Sequence, residues 1–289
     1  LISIFITGCI EEKTKDVKKK IYVDKDFNPK TIGWKITHFN NIKEAISAVN
    51  ENETIYVNQG KYYENLIINK TIILIGENSS TTIIDGNGIG DVIYISENGS
   101  INISGFKIKN SGSNISSGTD SGIDIRSNNN NISYNNISNN NIGIYSRESR
   151  YNNISNNIFQ MNNNYGIFIN TGSDFNIISN NIFINNNICL RIKGSKFNEL
   201  KKNLIKNSYK GIYFCCGSRE NNVNYNVFIN NSFHGDDIGS NNWDNGIIGN
   251  YWDDYLGIDE NNDGIGDTPY IVDSSAEDNY PIYNIELIN

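Results

Sequence analysis

The segments Gly122-Ile123-Asp124-Ile125, Gly143-Ile144-Tyr145-Ser146, Gly166-Ile167-Phe168-Ile169, Cys189-Leu190-Arg191-Ile192 and Gly211-Ile212-Tyr213-Phe214 recur at steps of 21, 23, 23 and 22 residues. A second register follows at Ile132, Ile154, Ile178, Leu200 and Val223, and a third at Ile137, Ile158, Ile182, Leu204 and Val227. A fixed period in this range marks a stacked repeat architecture. Within each repeat apolar and polar residues alternate over short spans broken by Asn, Ser and Gly. That period of two specifies strands rather than helices. Three short strands per repeat predict a parallel β-solenoid whose coils stack at about 4.8 Å.

Asn136, Asn157, Asn181, Asn203 and Asn226 each precede the third-register residue. Stacked coils would align these amides, each with a donor and an acceptor for its neighbours. A second column is read at Asn140, Asn185, Asn207 and Asn230, interrupted at Met161. Asn also accepts the left-handed backbone of sharp corners. An Asn-rich tract alone would suit disorder, but a disordered tract has no reason to hold Ile at a fixed phase.

The chain has 289 residues, 19% charged residues and a net charge of −8. That balance excludes a general attraction to nucleic acid or to membrane surfaces. The four cysteines form no disulfide framework: Cys9 stands alone, and Cys189 phases with Gly211 rather than Cys215. Cys216 continues the inward alternation of Ile212 and Phe214 and reads as a small core residue.

Residues 1–10 are apolar and lead into Glu11, Glu12 and a Lys-rich run to Lys20. This reads as a secretory signal with a tether, and Ile6-Thr7-Gly8-Cys9 resembles a lipoprotein box with Cys9 lipidated. Residues 21–231 read as the solenoid with its entry cap. Ile42, Ala45, Ile46 and Val49 fall at helical spacing behind Asn40 or Asn41 as N-cap, so a helix is predicted to cover the first coil's edge. Ser111–Asp120 reads as a loop between coils. Residues 232–289 read as an aromatic, Asp-rich C-terminal cap. The fold class is therefore all-β, a parallel β-helix with a helical cap at one end and an aromatic one at the other.

The entry stretch carries Ile21-Tyr22-Val23-Asp24, Trp34, Thr37-His38-Phe39, Thr54-Ile55-Tyr56-Val57, Tyr62-Tyr63-Glu64-Asn65 and Ile84-Asp85-Gly86. The exit carries Gly249-Asn250-Tyr251-Trp252 and Asp263-Gly264-Ile265-Gly266-Asp267-Thr268-Pro269-Tyr270. Together they resemble the NosD-like right-handed parallel β-helix proteins, above all those of archaeal cell surfaces. The resemblance implies a pectin-lyase-like fold. It implies function poorly, because one fold hosts many activities. The family's name comes from a periplasmic protein associated with copper delivery. Soft copper sites need Met, Cys or clustered His; with His38 and His234 isolated and Met161 alone, the residues give copper handling no support.

Asp259, Asn261, Asp263, Ile265 and Asp267 match positions 1, 3, 5, 7 and 9 of an EF-hand-type loop, with Gly264 at the sharp turn. A structural calcium ion is expected there. Tyr270 stands where the closing Glu belongs, so Asp273 is the expected substitute. The outward face of the first-register strands offers Tyr94, Asp124, Tyr145, Phe168, Arg191 and Tyr213, with Arg126, Arg147 and Lys193 two residues on. Aromatic faces stack on sugars, and cations pair with carboxylates or sulfates; in pectin-lyase-like enzymes this sheet carries the substrate groove. The same rings also stabilise a pleated sheet with no ligand at all. A hydrolase needs two carboxylates, and these columns offer Asp124 alone, so no catalytic residue is assigned. Sequons recur, Asn136 among them, which the amide column would bury.

These readings converge on an exported, monomeric cell-surface β-helix, extracellular and lipid-anchored if Cys9 is modified. It would bind polysaccharide or envelope glycan, or build an envelope layer, without catalysis. The alternative is a lyase or epimerase acting on acidic polysaccharide, and the third reading is a copper-delivery accessory.

Overall fold

The computed structural model describes residues 19–113 and 118–288. The proposed signal segment and Cys9 lie outside the described residues. The chain winds as a right-handed parallel β-solenoid with three long sheets. Sheet A has 11 strands, sheet B nine and sheet C eight, and every neighbour within them is parallel. Sheet C carries the first register: Ile123, Ile144, Ile167, Leu190 and Ile212 stack in phase. Sheet A carries the second, Ile132 through Val223, as the spacing predicts.

The third register differs by one residue. Ile137 stacks on Phe159, Phe183, Ile205 and Phe228, while Ile158, Ile182, Leu204 and Val227 align with Asn136 instead. Four coils have two adjacent apolar residues here, so alternation alone leaves the phase open. The interior takes the member of each pair that keeps the constant offset of five from the second register. Phe159 and Phe183 are fully buried and stack at 4.9 Å. A one-residue slip exchanges the two faces of a strand.

The same slip moves the amide columns. Three buried ladders run along the corners: Asn130–Asn152–Asn176–Asn198–Asn221–Asn241, Asn135–Asn157–Asn181–Asn203–Asn226–Asn250, and Asn140–Asn162–Asn186–Ser208–Asn231. Asn135, not Asn136, is the rung. Asn136 points outward, half-buried, and accepts from Gln160. Met161, Asn185, Asn207 and Asn230 are not rungs either; each precedes one, with φ between 50° and 55°. Each corner therefore pairs a left-handed residue with a buried amide behind it. A rung accepts both the backbone N–H and the Nδ2 of the previous coil's rung, as Asn181 Oδ1 does from Asn157 at 2.9 and 3.1 Å. Its own Nδ2 donates to a backbone carbonyl, Ile154 O for Asn181 at 2.8 Å. The corner peptide groups, turned away from the sheet ladders, are satisfied this way.

Helix α1, Ile42–Ala48, starts at Asn41, whose side chain accepts the N–H of Glu44 at 2.8 Å. It buries Ile42, Ala45 and Ile46 beside the first strands of sheet A. Glu64 receives the N–H groups of Ile42 and Lys43, both at 2.8 Å. Past residue 231 the solenoid continues for one more coil, beyond the boundary expected from the repeat. Phe233–Asp237 joins sheet C, Ser240–Asn242 sheet A and Tyr251–Trp252 sheet B. Alternation fails to show this coil because its inward positions are Asp237, Trp243 and Trp252.

Candidate functional site

The outward face of sheet C brings together the predicted columns. Tyr94, Asp124, Tyr145, Phe168, Arg191 and Tyr213 are consecutive Cα partners, and Arg147 aligns with Asn170 and Lys193 with Cys215. The face is less open than an aromatic platform. Asp124, Tyr145 and Phe168 are buried at 3%, 3% and 8% exposure. Their covers are the neighbouring cations and rings. Arg126 lies 4.9 Å over Tyr145, and Arg191 lies 4.8 Å over Phe168. Asn170 donates to the Tyr145 hydroxyl at 2.8 Å. Each ring is thus already committed to an intramolecular cation–π or amide partner.

Arg126 is clamped. Its Nε and Nη2 donate to the two oxygens of Asp124 at 2.7 and 2.8 Å. Burial pushes the Asp124 carboxyl up, and Arg126 pulls it back. Arg147 sits beside it in the outer column, exposed, 3.3 Å from Glu148. Arg126, Arg147, Glu97 and Glu148 enclose an open recess of about 300 Å³.

A second carboxylate escaped the sequence reading. Asp91 sits just before the strand of Tyr94, and its Oδ1 accepts the N–H and hydroxyl of Ser121 at 2.8 and 2.9 Å. Burial first, and then the charge of Asp124, push its carboxyl up to about 6. Asp91 and Asp124 are one coil apart in space but 33 positions apart in sequence, and an acid at a strand's edge has no pattern to mark it.

Arg191 stands apart from the other arginines on this face. Its Nη1 donates to Tyr165 Oη at 2.6 Å, and its Nη2 lies 3.8 Å from Cys215 Sγ. Its buried Nε has no partner, and no carboxylate pairs with it among the described residues. Cys215 is buried and Cys216 exposed, a correction to the core position expected for Cys216. The strand ends at Cys215, and Cys216 turns the corner at φ 59°.

His234 is not isolated. Its ring and the carboxylates of Asp253 and Asp254 bring ligand atoms within 4.8 Å of one another. The hydrogen bonding decides what this group is. Asn231 is oriented by the N–H of Ser208 on its Oδ1 and by Ile205 O on its Nδ2, at 3.1 and 2.9 Å. Its remaining N–H faces His234 Nδ1 at 3.2 Å. Nδ1 is therefore the acceptor, and Nε2 carries the proton given to Asp253 at 2.8 Å. A cation on Nε2 would force the proton onto Nδ1, against that N–H; metal-bound histidines instead donate their other ring N–H. The group terminates an amide ladder.

In the 259–267 loop, Asp259 accepts the N–H groups of Asp263 and Gly264 at 3.2 and 2.9 Å, and Asp267 that of Glu260 at 2.6 Å. Gly264 has φ 89°. Asp273, the expected closing ligand, is engaged elsewhere, by the N–H groups of Asp237 and Ser275. The Tyr270 ring stacks on Trp252 at 4.2 Å.

No helix among the described residues is long and apolar enough to cross a membrane. A comparison with curated proteins gives no match. Among solved structures, the chain is similar to the ORF18 protein of Geobacillus virus E2, at 15% identity and a TM-score of 0.45, over 69% of this chain and 56% of that one. It is similar to the Dettilon tailspike protein at 16% identity and 0.43, over 73% and 55%. A pectin methylesterase solved with a hexasaccharide aligns at 11% identity and 0.39, over 74% and 80%. The chain spans just over half the length of the first two. With residues 35–257 matching the model of NosD, the periplasmic copper-binding protein, the chain belongs to the NosD family.

Proposed function

We propose that this is an exported β-helix that binds an acidic glycan along the outer face of sheet C, without transforming it. The observation carrying this reading is the recess between Arg126 and Arg147. Asp124 fixes Arg126 bidentately, so its remaining Nη1 needs little reorganisation to meet a carboxylate or sulfate. Lys193 stands two coils beyond Arg147 in the same column, about 10 Å away at the strand spacing. A chain lying along the solenoid axis could reach both. Calorimetry with oligogalacturonate and sulfated oligosaccharides tests this. Arg126→Gln/Arg147→Gln should weaken binding at least about tenfold, the worth of one lost charge-assisted contact. Unchanged affinity in that variant would overturn the site.

One observation favours the alternative, an acid–base enzyme on the same substrate class: Asp91, raised to about 6 beside Asp124, holds its proton closer to neutrality than an ordinary carboxyl. Unsaturated or shortened product after prolonged incubation, lost in Asp91→Asn, would establish catalysis. Export rests on the apolar residues 1–10 and on the description of the family as periplasmic.

A further inference from the structure

The outward column of sheet A stops one position short at its C-terminal end. Ser155 is covered by Ser179, Ser179 by Lys201 and Lys201 by Asn224, each its Cα partner in the next coil. Asn224 has no such partner. The last strand, Ser240–Asn242, pairs Asn242 with Asn222 across a register shift and ends there. The chain then turns inward at Trp243, which is 1% exposed and gives its indole N–H to Asp237 at 3.0 Å. Uncovered Asn224 therefore lies in an open recess of about 510 Å³, lined also by Asn242, residues 244–246, Glu277 and Asn279. That volume falls within the roughly 300–1,000 Å³ of small-molecule sites.

The polar groups of this recess are held in place but not used up. Asn242 Nδ2 donates to Asn222 Oδ1 at 2.9 Å, which leaves Asn242 Oδ1 and Asn222 Nδ2. Asn279 donates its backbone N–H and its Nδ2 to Asp244 Oδ2 at 3.0 and 3.3 Å, which leaves its Oδ1. Asn245 Oδ1 accepts the N–H groups of Ile247 and Ile248 at 3.1 and 2.9 Å, which leaves its Nδ2. Asp244 Oδ1 is taken by the N–H of Gly246 at 2.8 Å. The side chains of Asn224 and Glu277 have no hydrogen-bond partner among the described residues. Oriented acceptors and oriented donors thus share one cavity.

We propose that this recess binds an uncharged sugar residue through the free arms of Asn224, Asn242, Asn245, Asn279 and Glu277. A sugar hydroxyl both donates and accepts, and an amide offers both functions side by side. An amide tied down on one arm needs little reorganisation to use the other. No Lys or Arg lines the recess and the Glu277 carboxylate is free, so an acidic sugar is repelled. A divalent cation is the poorer fit. Both Asp244 oxygens are spent on N–H groups, which leaves Glu277 alone, whereas calcium takes about six to eight oxygens. With Trp243 buried, the recess offers no ring face for stacking. Affinity then rests on hydrogen bonds, and a Kd on the order of 1 mM is expected for a monosaccharide. This inference is separate from the glycan reading of sheet C, which rests on cations and an acidic ligand.

The test is a magnetic-resonance titration of the isotope-labelled full chain with the methyl glycosides of glucose, galactose, mannose and N-acetylglucosamine, and with glucuronate as the charged comparison. The side-chain amide signals of Asn224, Asn242, Asn245 and Asn279 should shift together with at least one neutral glycoside, and glucuronate should bind about tenfold more weakly or less. Asn224→Ala should weaken neutral-sugar binding about three- to tenfold, the worth of one or two neutral hydrogen bonds. Glu277→Gln should keep that binding and narrow the gap to glucuronate. Neither side chain bonds within the chain, so both variants keep the fold. No shift with any neutral glycoside well above millimolar concentration, wild-type affinity in Asn224→Ala, or tighter binding of glucuronate would overturn the proposal. So would calcium chloride that shifts the same amides and loses its effect in Glu277→Gln. Neutral-sugar binding that persists in Arg126→Gln/Arg147→Gln supports a site apart from sheet C, and its loss there would place the sugar on sheet C and overturn this site.

Discussion

The carboxylate of Asp278 accepts the indole N–H of Trp252 at 2.9 Å and the backbone N–H of Asn250 at 2.7 Å. Asp237 does the same for Trp243, at 3.0 Å, and for Asn241. The third ladder ends through Asn231 on His234, which leans on Asp253. Every rung donates toward the C-terminal end, so each ladder leaves orphan donors there. A carboxylate or a histidine nitrogen receives them, as a side chain receives the orphan groups of a helix end. The aromatic, Asp-rich composition of the last 58 residues thus has a specific use in these three termini.

Removing that acceptor should be costly, and replacing it should not. Asp278→Ala leaves the Asn250 and Trp252 donors unpaired in a buried site, at about 1–3 kcal/mol for each group. Asp278→Asn keeps one oxygen for both donors and should cost roughly half as much. Urea midpoints at pH 7 rank the two variants, and equal losses would refute the terminal-acceptor role.

Stability should rise on mild acidification. Burial raises the Asp278 carboxyl to about 6 from 3.8, so the folded state holds its proton more tightly than the unfolded state. The corresponding stability is fully present below the unfolded value and is lost as pH rises through 6, on the order of 3 kcal/mol. Asp91 acts in the same direction. The melting temperature should climb from pH 7 to pH 5, with a flatter profile in Asp278→Asn. A falling profile in the wild type would contradict this.

Adjacent asparagines should behave differently. Asn181→Ala strips acceptors from Asn157 and a donor from Ile154 O, and should cost about 3 kcal/mol or more. Asn180→Ala touches no rung and pays only for φ 56°, about 1–2 kcal/mol. Asn180→Gly should be close to neutral.

The register of sheet B can be checked the same way. Phe183→Ala opens a cavity in the core and should cost about 3–5 kcal/mol, whereas Ile182→Ala, on the outer side, should cost under about 1.5 kcal/mol. Reversed costs would restore the slipped register.

We propose that calcium binds the 259–267 loop only weakly, in the range of about 10⁻⁴–10⁻³ M typical of extracellular modules. The loop has no closing bidentate ligand, and Asp267 is engaged with Glu260. A melting temperature that falls by more than a few degrees in EGTA would show a tighter site.

The sequence by itself determined the solenoid, because coil stacking forces one step length on the apolar positions and leaves it visible as a period. It also marked the stacked outward column from Tyr94 to Tyr213 and narrowed the N-cap to Asn40 or Asn41, of which the structure takes Asn41. The tertiary structure showed the phase of sheet B, because Ile182-Phe183 and its equivalents are apolar at both positions, alternation does not choose between them, and the strand pairing puts Phe183 inside. It alone placed Asp91 near Asp124, Cys215 against Arg191, and the ladder ends on Asp237, Asp278 and His234. Those are meetings between coils, and a period records that coils stack without recording which polar groups face each other when they do.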